Sequence, residues 1–401
     1  MNAFVITVFV AVYVGMLLGG VPGLRVDRTG VALIGAIVLL AGGGISEEGA
    51  LDSLDVPTLA LLFGLMVLSA QLELGGFYQK VASDVGQMEI SPSALLCVVV
   101  VVTGLLSAIL TNDVVCLAVA PLLANTCLRR GLDPVPFLLG LACAANVGSA
   151  ATIIGNPQNI LIGESLDLSF GSYLSRALPI TLVNLALVWG IIAGLQRGRW
   201  HQEPRETKPD AVSFDRFQTA KGILVLGVLV VGFLFTDIPR EMLAISGAAV
   251  LLLSRRFHSS RIVKLVDWPL IVLFVSLFVI NAAFQDAGGT DALVSGLDDR
   301  GVRLESPGVM FIVTAVLSNL VSNVPAVMLM LPLAKGSDPG LVLALSSTLA
   351  GNLIVVGSVA NIIVIAAAQQ EGVSISPWAH ARVGVPVTLA TLAIAALFLF
   401  G

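Results

Sequence analysis

The run Asn146-Val147-Gly148-Ser149-Ala150-Ala151-Thr152-Ile153-Ile154-Gly155-Asn156-Pro157-Gln158-Asn159 sets a polar cluster inside an apolar segment covering 137–163. Asn and Ser favour helix N-caps, Pro suits the first helical turn, and Gly lets a backbone approach a ligand closely. One half-helix is therefore expected to end, and another to begin, inside a single membrane span. Irregular backbone at that depth is tolerated only where it is buried in protein or lines a cavity. The same grammar recurs at Thr111-Asn112-Asp113, at Ser322-Asn323-Val324-Pro325 and at Gly357-Ser358-Val359-Ala360-Asn361.

The surroundings of these four clusters are lipid-like. Of 401 residues, 57% are hydrophobic and 12% charged, about half the charged share of a soluble domain. The longest polar stretch, 197–221, is too short to bury a core of its own. Apolar runs predict about ten spans, near 3–20, 28–43, 56–75, 137–163, 172–196, 218–236, 240–254, 268–285, 340–369 and 380–400. The first run has no basic residue before it and reads as a retained helix, not a cleaved leader. Two further stretches, 92–128 and 307–334, carry their polar clusters at mid-length with no charged loop between the arms, and read as re-entrant hairpins. The expected fold class is an all-α polytopic membrane protein with two re-entrant hairpins and two broken helices.

The halves match one another. Leu54-Asp55-Val56-Pro57 answers Val266-Asp267-Trp268-Pro269, and Leu74-Gly75-Gly76 answers Ala287-Gly288-Gly289. Ser107, Asn112 and Pro121 align without gaps to Ser318, Asn323 and Pro332, while Gly155 and Asn159 answer Gly357 and Asn361. Each half has an odd number of spans, so the second must cross the bilayer upside down relative to the first, the inverted-repeat plan of secondary transporters. The expected division is a first repeat over 1–196, a cytoplasmic linker over 197–217 and a second repeat over 218–401.

Basic residues give the orientation. With both termini on the non-cytoplasmic side, the cytoplasm holds Arg25, Arg28, Lys80, Arg129, Arg130, the linker cations, Arg255, Arg256, Arg261, Lys264 and Arg382. The other side keeps only Arg176, Arg240, Arg300, Arg303 and Lys335. That asymmetry obeys the positive-inside rule, and the chain is expected to be a multi-pass protein of the cell inner (plasma) membrane.

Half-helix starts attract anions through free N–H groups and their positive dipole end. Unwound carbonyls with Asn and Ser oxygens coordinate cations. No Lys or Arg lies in the four clusters. Asn112, Asn159, Asn323 and Asn361, with Gly155, Asn156, Gly357 and Ser358, are therefore expected to bind substrate. Asp113, the one acid in the clusters, is expected to couple transport to H⁺ or Na⁺ beside Thr111 and Ser322; the plain alternative is an N-cap bonding backbone amides. An acid at mid-bilayer costs about 2.5–3.5 kcal/mol on insertion scales, so a role is the stronger expectation.

At these clusters the chain resembles the ion-transporter superfamily: arsenite permeases, related sodium–proton antiporters and divalent-anion sodium symporters. Leu110-Thr111-Asn112-Asp113, the run 146–159 and Ser322-Asn323-Val324-Pro325 carry the resemblance. It implies a scaffold domain, a mobile transport domain holding both hairpins, a homodimer and elevator-type movement. The divalent-anion symporters have Ser-Asn-Thr at both tips, contacting sodium and carboxylates. Here Asn112 and Asn323 carry over as candidate Na⁺ contacts, but the final Thr is absent from both tips. Asn-Asp at the first tip is closer to the arsenite-permease branch.

The expected function is a secondary active permease for a small anion or oxyanion. A Na⁺/H⁺ antiporter and an anion channel are the alternatives. An enzyme is not expected: there is no HExxH motif, and His201, His258 and His380 lie outside the clusters. No cofactor is expected beyond a coupling ion. The bilayer and the transported anion are the expected partners, without nucleic acid.

Overall fold

The computed structural model describes residues 2–21, 23–205, 214–335 and 338–401. Part of the expected linker, 206–213, lies outside the described residues. The described regular elements are twenty α-helices and two short 3₁₀ turns, and no strand ladder occurs among them. They form two series of ten in the same order. The first series opens with α1 (Ala3–Leu17), α2 (Arg28–Ala41) and the short α3 (Glu47–Asp52). It continues through α4 (Val56–Leu74), α5 (Phe77–Gly86), α6 (Pro92–Ile109), α7 (Asn112–Arg129), α8 (Pro134–Ser149), α9 (Pro157–Ser165) and α10 (Phe170–Leu195). The second series is α11 (Arg216–Phe235), α12 (Arg240–Leu252), α13 (Ser259–Val263), α14 (Trp268–Asp286), α15 (Gly289–Asp298), α16 (Pro307–Val321), α17 (Asn323–Met330), α18 (Pro339–Ala350), α19 (Val359–Gln370) and α20 (Pro377–Phe400).

Matching caps explain the matching starts and stops. Asp55 and Asp267 accept the N–H groups of Thr58 and Leu270, each at 3.0 Å, with Pro57 and Pro269 in the first turn. Both 19-residue helices, α4 and α14, are followed by a glycine in the left-handed region, Gly76 at φ 77° and Gly288 at φ 73°. That conformation turns the chain into α5 or α15 and suits a residue without Cβ. Packing follows the same symmetry: α4 lies on α12 as α14 lies on α2, and α10 lies on its own counterpart α20.

The expected hairpins and broken helices correspond to α6–α7, α16–α17, α8–α9 and α18–α19. Six helices (α4, α6, α10, α11, α14 and α20) are long and apolar enough to cross a membrane by length and composition. Others are shorter than hydropathy suggests: α12 has 13 residues, about 20 Å at helical rise. Four short helices, α3, α5, α13 and α15, fill stretches where hydropathy alone predicts loops, because their length and charge hide them from a span-sized window. The interior is centred on α8, every residue of which but Val135 is buried, enclosed by α6, α7, α10 and α19.

Candidate functional site

At the first hairpin tip Leu110 is extended, Thr111 occupies the N-cap position and α7 starts at Asn112. At the second, Ser322 alone turns the corner with φ 80° and ψ 160°. That region is nearly reserved for glycine, so Ser322 is a strained residue held by its surroundings.

The two breaks repeat one hydrogen-bond pattern. In the first, the Asn159 side-chain amide donates to the Ser149 and Thr152 carbonyls at 3.3 and 3.0 Å. In the second, the Asn361 amide donates to the Gly351 and Ile354 carbonyls at 2.8 and 3.2 Å. Asn156 caps α9, accepting from the Asn159 N–H at 2.9 Å, and Ser358 caps α19, accepting from the Ala360 N–H at 3.2 Å. Gly155 presses on the Ser149 backbone, while a Cβ added at Gly357 would lie 2.7 Å from Asn319 Oδ1.

The halves cross-brace. Asn146 Nδ2 donates to Asn352 Oδ1 at 2.8 Å and to Asn361 Oδ1 at 3.4 Å, and the Ser358 hydroxyl donates to Asn146 Oδ1 at 2.8 Å. Reciprocally, the Thr348 hydroxyl donates to Asn159 Oδ1 at 3.4 Å and accepts from Asn156 Nδ2 at 3.3 Å. The first tip lies on the first break, with Asn112 N–H donating to the Gly155 carbonyl at 3.4 Å and Asn112 Nδ2 to Asn146 Oδ1 at 3.3 Å. The second tip lies on the second break: Asn319 Nδ2 donates to the Ala350 carbonyl at 3.0 Å. A Cβ added at Gly351 would lie 3.4 Å from Asn323 Nδ2. The four clusters, far apart in sequence, therefore meet in one place.

Their atoms have different duties. Asn159 and Asn361 spend both ends of their amides on the protein itself, and Asn156 and Ser358 act as caps. The side-chain oxygens of Asn112 and Asn323 are buried and have no partner among the described residues, and neither do the hydroxyls of Ser107 and Ser318. Buried polar atoms are seldom left unpaired, so such atoms at both tips call for an explanation. Thr111 meets the Ser69 hydroxyl at 3.3 Å. Asp113 is the second residue of α7, not its cap, which sets aside the capping alternative. It is half-buried, and no ion pair or hydrogen bond to its carboxylate occurs among the described residues.

Sequence reasoning did not single out Asn146, Thr348, Asn352, Ser149 or Tyr173. Asn146 opens the decisive run, and the spacing from Asn159 to Asn361 maps it onto Thr348; that offset was the available signal. Ser107 and Ser318 align in the repeat and were not assigned.

A family model described as citrate transporter matches residues 8–342. An uncharacterized transporter of Mycobacterium tuberculosis is 29% identical, over 100% of this chain and 98% of its own length. The silicon efflux transporter LSI3 of rice (Oryza sativa subsp. japonica) is 28% identical, over 93% and 92%. The inner membrane protein YbiR of Escherichia coli is 30% identical, over 78% and 79%. The crystal structure of the YdaH transporter of Alcanivorax borkumensis has the same fold at TM-score 0.59, with 17% identity over 98% of this chain and 96% of that one.

Proposed function

Because the chain belongs to the citrate transporter family, within the ion transporter superfamily, we propose that this membrane transporter carries a small anion or oxyanion by secondary active transport. The observation that supports this reading is the pair of unpartnered tip oxygens, Asn112 Oδ1 and Asn323 Oδ1, one on each break. Oxygen atoms so placed suit a cation such as Na⁺, while the starts of α7, α9, α17 and α19 offer N–H groups and positive dipole ends to an anion. Thr111 and Ser322 flank the cation positions, Asn159 and Asn361 hold the pocket's shape, and Gly155, Asn156, Gly357 and Ser358 form its floor. With no Lys or Arg in the four clusters, a weakly charged oxyacid fits better than a multiply charged anion. The rice relative named for silicon efflux is consistent with such a solute.

Asp113 couples transport to H⁺ or Na⁺ in this reading. Movement is of elevator type, with both hairpins and both broken helices travelling against a scaffold of α1–α4 and α11–α14 in a homodimer. The chain divides into repeats at 1–196 and 218–401 joined by a cytoplasmic linker, and lies in the inner membrane with both termini outside. The lack of a partner at Asp113 also favours a second reading, Na⁺/H⁺ antiport.

The test is uptake into proteoliposomes of arsenite, silicate, sulfate and citrate, with and without Na⁺ or a proton gradient. One anion is expected to accumulate in an ion-dependent way, and Asp113→Asn is expected to abolish accumulation while the protein still folds and inserts. Na⁺-driven proton flux with no anion taken up would replace this reading with antiport. Unchanged ion dependence in Asp113→Asn would remove Asp113 from coupling.

A further inference from the structure

The last helices of the two halves, α10 and α20, align residue for residue. Ser169 and Ser376 cap them, Pro179 and Pro386 are the tenth residues, and Thr181 and Thr388 the twelfth. The fourth residues are Tyr173 and His380. Tyr173 braces the first break: its hydroxyl accepts from Asn159 Nδ2 at 3.2 Å and donates to the Ala150 carbonyl at 2.9 Å. The counterpart of Ala150 in the second break is Asn352. Gly384, one turn beyond His380, packs against the Asn352 carbonyl, and a Cβ added there would lie 3.2 Å from His380 Nδ1. His380 therefore stands beside the second break as Tyr173 stands beside the first. It is 1% exposed, and neither ring nitrogen has a hydrogen-bond partner among the described residues.

A tyrosine hydroxyl stays neutral across physiological pH, whereas an imidazole is the side chain whose charge changes there. The neighbourhood offers it no compensating acid. The elements packed on α20 are α10, α18, α8 and the 3₁₀ turn Val355–Gly357. Their ionisable side chains are Tyr173 and Arg176 on α10 and Cys143 on α8, with none on α18 or the turn; α20 itself adds Arg382. A proton on His380 thus has no carboxylate from these elements to balance it. An anion in the adjoining pocket would supply that balance.

We propose that His380 is a proton-binding site of the second break, and that its protonation accompanies occupation of the pocket by an anion. The proton comes from water and returns to water when the anion leaves, so one proton and one negative charge move together. This deepens the anion-transport reading and rests on it for the linkage, though not for the proton site. By linkage, an anion that favours the proton is itself favoured by the proton to the same degree.

The test uses the full chain in nanodiscs with His201→Gln and His258→Gln, so that ¹³C-labelled His380 gives the single imidazole signal. That signal is read from pH 4 to pH 9 without anion and with arsenite, silicate, sulfate or citrate, beside the melting temperature. The expected result is a titrating signal that keeps its proton to higher pH when a stabilising anion is present. Anion affinity should fall by up to about tenfold per pH unit between the anion-free and the anion-bound titrations and level off above both, and His380→Tyr, which copies the first half, should fold and bind with no such slope. An imidazole silent to pH, a titration indifferent to an anion that demonstrably binds, or an unchanged slope in His380→Tyr would each overturn the proposal. If no anion raises the melting temperature while the imidazole still titrates, the anion reading falls and the proton site stands.

Discussion

The first and second breaks share one lock and differ in how firmly it is seated. In both, an asparagine amide ties two carbonyls of its own break, a capping side chain starts the next half-helix, and the opposite half contributes a cross-brace. Every residue from Ala150 to Asn159 is buried, but Ile354, Val356 and Val359 of the second break are 38%, 48% and 46% exposed. In the first half α6 packs on α10, and the Trp189 indole donates to the Ser93 carbonyl at 3.0 Å. In the second, an apolar groove of about 850 Å³ separates α16 from α20, lined by Gly308, Phe311, Ala315, Leu392 and Ala396. The lesson is that the two halves share the polar geometry of their breaks while the packing behind those breaks differs. The first break is a buried strut, and the second is the looser member.

That contrast breaks or sharpens under mutation. The largest stability effect is expected for Asn159→Ala, which strands several fully buried partners at about 1–3 kcal/mol each. It should lower the melting temperature sharply and reduce the yield of folded protein. Asn361→Ala should lose less, because its bond to Ile354 is only partly buried. Equal losses in a thermal denaturation series would erase the difference between the breaks.

A smaller effect separates the opening helices of the halves. Uncharged Asn2 caps α1, whereas Asp215 caps α11 by accepting from Phe217 and Gln218 and pairing with Arg256 at 2.6 Å. The backbone N–H of Gln218, then the Arg256 guanidinium, hold the Asp215 carboxyl below the usual carboxylate range. A depressed carboxylate contributes stability above its unfolded value, about pH 4, and loses it as pH falls through the folded value. Acid should therefore loosen the second half's first helix slightly, and Asp215→Asn should flatten that acid limb in a melting-temperature series. An unchanged limb would remove Asp215 from the acid response.

Much of this was legible in the sequence, for a physical reason. Polar clusters stand out against apolar runs, so Thr111–Asp113, 155–159, Ser322–Pro325 and 357–361 mark the tips and breaks directly. Asn146 did not stand out, because one asparagine in a buried helix gives no periodic or capping signal; the repeat offset marks its place, and its bonds to Asn352 and Asn361 reveal its role. The strained corner at Ser322 was hidden because the residue that adopts it is not glycine. The separate duties of the asparagines, bracing for Asn159 and Asn361 and open oxygens for Asn112 and Asn323, depend on contacts between distant segments that no local pattern encodes.

Both hairpin tips are held to look into one chamber, and labelling reads this most directly. In a background with Cys97, Cys116, Cys127 and Cys143 replaced, Thr111→Cys and Ser322→Cys would be reacted singly with a small polar thiol reagent in the membrane. The account predicts that a transported anion slows both reactions over the same concentration range. Labelling of the two positions from opposite water faces, with no protection by any anion, would contradict it.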